Sequence, residues 1–305
     1  MTDGAEPVWV EVERFRTRTA ADQHALVLTA MGIACRLVRH DGGAIVLAVA
    51  RDDAPRARRE LAAYARENRR RSRPAAPLRG LGEGIDGAMA YSAILLFLHG
   101  ASRRQTFGLD WWSAGVAQAG LIAGGEWWRT ITALGLHADL GHLAGNLAFG
   151  SLLGLLLAQL QGAGLAWLAI LLAGALGNAL GVPFRPPDHT AVGASTAVFG
   201  ALGLRAALAW RREGFLWRHG LRRWLPLAAG VMLLAYMGFG GERTDIGAHV
   251  AGFAVGGALG AGLAHAGHRV PQGRDAQRAC GIAALALVAL AWLLALRAHG
   301  WPEAL

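Results

Sequence analysis

Two apolar stretches of this chain open with polar side chains that have a use in chemistry. Gly193-Ala194-Ser195-Thr196 begins one, and Ala248-His249 begins another. A serine hydroxyl is a weak nucleophile until an adjacent base takes its proton. A histidine held about 2.6–3.2 Å away can act as that base. Ser195 and His249 together would attack a carbonyl carbon, and the oxygen left negative would need donors. His142 and Asn146 are four apart, share a helical face, and both can donate hydrogen bonds to such an oxyanion. The chemistry these four residues describe is hydrolysis of a peptide bond inside a membrane. Each has a plainer reading alone. A serine in an apolar helix bonds its own backbone carbonyl, and an asparagine bonds a neighbouring helix. Their joint occurrence at one depth favours the chemical reading.

Those residues must be positioned by long apolar elements. Seven apolar runs lie near 85–102, 142–161, 163–182, 191–210, 224–240, 246–266 and 279–297. A span needs about 20 residues at 1.5 Å each to cross a hydrocarbon core of about 30 Å. The expected fold is therefore an all-α polytopic membrane protein. Arginine clusters at 69–73, 211–223 and 269–278 fall on one side if the N-terminus is inside, as the positive-inside rule requires. The fourth and sixth runs then both enter from outside, which puts Ser195 and His249 about one turn deep at matching height. His249, Gly252, Gly256 and Gly260 share a face, and small residues at that spacing let two backbones approach. The long external connection, about 103–141, carries Trp111, Trp112, Trp127 and Trp128, which suit a membrane interface.

Composition agrees with this class. Of 305 residues, 54% are hydrophobic and 17% charged, and the mean hydropathy is +0.33. Soluble chains are nearer a quarter charged. The net charge is +9, and every basic residue is arginine. These arginines flank apolar runs instead of forming a folded basic face, so nucleic acid is not an expected partner. Two distant cysteines, Cys35 and Cys280, imply neither a disulfide framework nor a thiolate metal site. No cleavable leader is visible at the charged N-terminus. Residues 1–70 read as a soluble β-α-β-β-α module: strand near 8–12, helix 19–31, strand 33–38, a turn at Asp41-Gly42-Gly43, strand 44–50 and helix 54–68.

The motifs in order resemble the rhomboid family of intramembrane serine proteases. Gly193-Ala194-Ser195 matches that family's nucleophile motif. Ala248, His249, Gly252 and Gly256 match its base motif, and His142 with Asn146 its second-helix motif. Glu126, Trp128 and Arg129, followed by His137, match its first external loop. Phe199 matches the aromatic that stacks on the base. The resemblance covers about 85–270. It implies a six-helix rhomboid-like core there, a seventh transmembrane helix and tail over 271–305, and a basic linker over 71–84 after the α+β domain. It also implies a Ser195–His249 dyad without a third acid, His142 and Asn146 at the oxyanion, and Gly193, Phe199, His137, Gly252 and Gly256 in support. No cofactor or metal is implied. The substrates would be transmembrane proteins cut in or near their helices, the setting the lipid bilayer of a bacterial inner membrane, and the N-terminus cytoplasmic. The oligomeric state is left open. Thr196 departs from the family, where glycine usually follows the serine; a β-branched residue there could crowd the oxyanion site or narrow substrate choice, and it removes no catalytic group.

Other readings remain. A non-catalytic rhomboid-like escort of membrane clients would usually lack the serine or the histidine. A transporter would place its polar groups near the midplane. A metal held by His137, His142 and His249 is disfavoured because 137 and 142 do not share a helical face. Asp245, four residues before His249, could orient the base or lie in the aqueous loop. Gly240-Gly241-Glu242 could form a cap over the site.

Overall fold

The computed structural model describes residues 7–40, 43–68, 82–213, 228, 231–232, 245–267, 270 and 272–299. Two compact units result, Met1–Ala76 and Pro77–Leu305. The first holds β1 (Trp9–Phe15), α1 (Arg18–Ala30), β2 (Cys35–Arg39), β3 (Ile45–Ala50) and α2 (Ala54–Asn68). The sheet is antiparallel in the order β1-β3-β2. β3 is central and nearly continuous in apolar residues, so both its faces are buried from Ile45 to Val49. Thr17 caps α1 by accepting from the Ala20 amide. Leu28, Ile33, Leu47 and Leu61 close the core between helices and sheet.

The second unit is helical and begins with α3 (Gly82–Arg104). Three short helices follow, α4 (Trp111–Gly115), α5 (Ala119–Ala123) and α6 (Arg129–Thr132), with strand β4 (Ala117–Gln118). Then come α7 (Leu140–Gln161), α8 (Ala163–Gly181), strand β5 (Thr190–Ala191), α9 (Ser195–Glu213), α10 (Ile246–Ala266) and α11 (Arg274–Ala298). Five helices among the described residues are long and apolar enough to cross a membrane: 84–104, 140–161, 163–184, 246–266 and 274–298. The apolar part of α9, Ser195–Trp210, is shorter, about 24 Å at 1.5 Å per residue. The run at 224–240 and the cap at 240–242 lie outside the described residues, apart from 228, 231 and 232.

The fourth run differs from its sequence reading. Its first residues form β5 and a turn, and the helix starts at Ser195, which is therefore its first residue and not one turn inside. Gly193 has φ +122°, a left-handed conformation that no helix contains, and its amide is bonded to the Ala133 carbonyl at 2.9 Å. The connection between α3 and α7 also differs. Trp111 is buried and packs on Trp292 of α11, with ring centroids 5.3 Å apart, instead of facing the interface. Trp112 and Trp127 remain exposed.

α7, α8 and α9 enclose the main core around Leu153, Leu157, Ala173 and Leu204. α10 lies on α9 with backbone against backbone. A Cβ on Gly252 would fall on the Thr196 carbonyl, and one on Gly256 on the Gly200 carbonyl. From the other side, a Cβ on Gly203 would fall on the Phe253 carbonyl. Only glycine admits this approach.

Candidate active site

The seam between α9 and α10 ends at Ser195 and His249. Ser195 Oγ lies 2.9 Å from His249 Nε2. His249, one turn into α10, is buried, and the Phe199 ring lies against it with centroids 4.3 Å apart and planes at 37°. Phe199 reaches it because it stands one turn beyond Ser195 on the same face. The pair opens into a cavity of about 1270 Å³, also lined by His142, Asn146, Asn178 and His189.

The turn before Ser195 is held from two sides. His137 Nε2 accepts a hydrogen bond from the Ala194 amide at 3.4 Å. Burial, reinforced by the neighbouring His142, pushes His137 down to about 4, so it is neutral near pH 7 and can accept. Gly193 faces the His142 ring so closely that a Cβ there would lie 2.5 Å from Cε1 and Nε2. His142 sits in the first turn of α7, whose amide end is capped by the Asp139 carboxylate at 2.8 Å. The His137 and His142 rings meet edge to face at 5.0 Å.

Asn146 lines the same cavity and is buried, but its Nδ2 donates to the His142 carbonyl of its own helix at 3.1 Å. Its own carbonyl accepts from the Tyr91 hydroxyl at 2.8 Å. Thr196 is buried, with its methyl packed between Gly177 of α8 and Gly252 of α10. The branched carbon thus fills helix-packing space.

Asp245 is engaged away from His249's side chain. It caps α10 by accepting from the Ala248 amide at 2.9 Å, pairs with Arg185 at 2.6 Å and meets His189 Nε2 at 3.0 Å. Burial pushes its carboxyl up, but the Ala248 amide, His189 and Arg185 outweigh that and hold it below its usual range. Sequence reading singled out neither Arg185 nor His189. The signal was faint: a polar Arg185-Pro-Pro-Asp-His189 segment eight residues ahead of Gly193. Together they tie the loop leading to the serine to the start of the histidine's helix.

The connection between α3 and α7 carries its own clamp. Arg129 is fully buried, bonded to Glu126 at 2.6 Å and to the carbonyls of Ser113 and Val116 at 3.0 and 2.8 Å. His299, at the end of α11, brings its Nε2 within reach of both, donating to Glu126 in one tautomer or accepting from Arg129 in the other. Burial raises the Glu126 carboxyl, but hydrogen bonds from His299 and Arg129 bring it below its ordinary value. Strands β4 and β5 pair Ala117 with Ala191, joining this loop to the approach to Ser195.

A multi-pass helical membrane protein with a serine–histidine pair at one end of its bundle is the class these features define. Residues 124–266 match the rhomboid domain family. The chain is 36% identical over 155 residues to rhomboid protease GluP of Bacillus subtilis strain 168, covering 48% of this chain and 29% of that relative. It is 30% identical over 116 residues to the putative rhomboid protease YdcA of the same strain, covering 38% and 58%. The chain thus spans less than two thirds of either relative. The resemblance read from the motifs holds: this integral membrane protein carries a rhomboid domain.

Proposed function

We propose that the chain is a serine endopeptidase that cuts membrane proteins in or near their transmembrane helices. The observation that carries this reading is the 2.9 Å approach of Ser195 Oγ to His249 Nε2 within a rhomboid domain. Ser195 Oγ attacks the scissile carbonyl carbon while Nε2 takes its proton. The tetrahedral intermediate collapses to an acyl-enzyme, and the leaving amine receives that proton from His249. Nε2 then deprotonates a water, which attacks the ester and frees Ser195. The wide cavity supplies the water.

His142, Asn146 and the Ser195 amide stabilise the oxyanion. One Asn146 N–H is committed to the His142 carbonyl and the other remains for substrate, so His142 carries the larger share. Gly193, His137 and Phe199 fix the turn and the base, and Gly252 and Gly256 set the distance between their helices. The N-terminus and the arginine-rich loops face the cytoplasm, and the site opens at the outer end of the bundle. Residues 1–70 form a soluble module joined by the basic linker 71–84 to the membrane core 85–270 and the final helix in 271–305. The substrates are transmembrane proteins, the partner phase is the bilayer, and the membrane is a bacterial inner membrane.

Labelling by a fluorophosphonate tests the reading, because it requires an activated serine. Wild-type chain should label, Ser195→Ala should not, and His142→Ala should label more slowly. Wild-type chain that is folded and inert to the reagent would favour a non-catalytic escort.

A further inference from the structure

A second cavity, of about 510 Å³, opens between α3 and α11 over α8. Its walls are apolar: Tyr91 and Leu95 from α3, Trp167 and Ile170 from α8, Ala284 and Val288 from α11. Along α11 it extends from Gln277 to Trp292, about 22 Å at 1.5 Å per residue. That exceeds the ~15 Å depth of one leaflet, half of a ~30 Å core. The far end is formed in part by Ala194 and Ala197, which flank Ser195. The mouth lies beside the α7–α8 turn, where Gln277 bonds the Leu165 amide and the Gln161 carbonyl.

Size decides what fits. A helix about 10 Å across and 22 Å long displaces roughly 1,700 Å³, several times the 510 Å³ present. An extended alkyl chain is long and thin enough. The mouth has a chemistry of its own, with Asp86 on α3 and Arg278 on α11 lining opposite sides. Gln277 is spent on the turn. Arg278 has only a 4.0 Å contact with an exposed Asp275, and such pairs are worth little. A phosphate beside Arg278 and an amine beside Asp86 complete this arrangement, whereas a glycerol headgroup offers Asp86 only neutral hydroxyls.

We propose that this groove is a binding site for one acyl chain of a zwitterionic aminophospholipid, its phosphate on Arg278 and its amine on Asp86. The site is separate from the cavity at Ser195 and stands whether or not the chain is a protease. The alkyl chain fills the space between α3 and α11, and its end packs behind the turn that carries Ser195.

Native mass spectrometry of the full chain, released from detergent with dioleoyl phosphatidylethanolamine, phosphatidylcholine or phosphatidylglycerol, tests this. The ethanolamine lipid should be retained about two- to fivefold over the glycerol lipid, the worth of one exposed charge pair. Asp86→Asn should erase that preference, and Arg278→Gln should weaken retention of all three. Ala284→Phe fills the groove and should abolish retention. Because Ala284 is itself buried, Leu285→Trp at the half-exposed rim is the second filling variant. Equal retention of all three lipids by wild type, or undiminished retention in both filled variants, would overturn the proposal. So would displacement of the lipid by an apolar transmembrane peptide, which would mark the groove as a helix site.

Discussion

The Arg129 clamp between α3 and α7 and the α9–α10 seam hold their geometry by opposite means. At the seam, position is set by missing atoms. Gly252, Gly256 and Gly203 let carbonyls of one helix touch the backbone of the other, and the serine and histidine meet at 2.9 Å as a consequence. At the clamp, position is set by charge. Arg129 is buried and tied to Glu126, His299 and two backbone carbonyls. A seam made of glycines accepts added volume only by moving its helices apart, but it owes little to pH. A buried charge tolerates a change of volume but not the loss of a partner. Precision is therefore built where the reacting atoms are, and the costly charge is placed where a loop must be anchored.

The largest effect that separates the two should come from the dyad. Ser195→Ala and His249→Ala should each lower kcat by on the order of 10⁴–10⁶, and the double variant no further, since the two act as a unit. Neither should shift thermal unfolding by more than a small amount. Substantial cleavage of a transmembrane reporter by Ser195→Ala would remove the seam's proposed purpose.

Next should be the clamp. Arg129→Met leaves the Ser113 and Val116 carbonyls without their donor and Glu126 without its ion pair, and a stranded buried acceptor typically costs about 1–3 kcal/mol. Unfolding of the membrane unit should move by that amount, with fluorophosphonate labelling still detectable at low temperature. Wild-type stability would mean that the ion pair contributes nothing net.

The third effect is in pH. His137 titrates near 4 in the fold, below its ordinary 6.5, so the fold favours its neutral form. Its contribution is complete above pH 6.5 and is lost as the pH falls towards 4, by roughly 3 kcal/mol. Wild type should therefore lose more stability across that window than His137→Gln, whose amide oxygen can still accept from Ala194. Parallel curves for the two proteins would show that His137 is not held neutral.

The smallest effect isolates the seam's packing. Gly252→Ala places a methyl on the Thr196 carbonyl and should cost about 1–3 kcal/mol, with a proportionate loss of activity. Gly145→Ala in α7 meets nothing within 4 Å and should be neutral or stabilising by up to about 1 kcal/mol. If both behave alike, the seam has more give than its contacts indicate.

Much of this was legible in the chain itself. The apolar runs fixed where α3, α7, α8, α10 and α11 fall, because helix length in a bilayer is set by composition and span. The four-residue spacing from His249 to Gly260 marked the seam, because a helix brings such residues onto one face. Nothing local shows that the Thr196 methyl points between α8 and α10. The start of α9 was misjudged by a turn. Hydropathy does not register the Gly193 twist, which depends on a hydrogen bond to Ala133 sixty residues away.

Sequence alone thus determined which residue types exist to do chemistry and which helix faces are small enough to meet. Both follow from local periodicity and from the bilayer as solvent. Tertiary structure alone decided that Asp245 serves Arg185, His189 and the cap of α10, that His137 holds the Ala194 amide, and that α11 lands on Trp111 and the Glu126–Arg129 pair. Apart from the local cap, those partners are separated by 56 to 181 residues, and a contact is specified by where two groups arrive in space, not by their order in the chain.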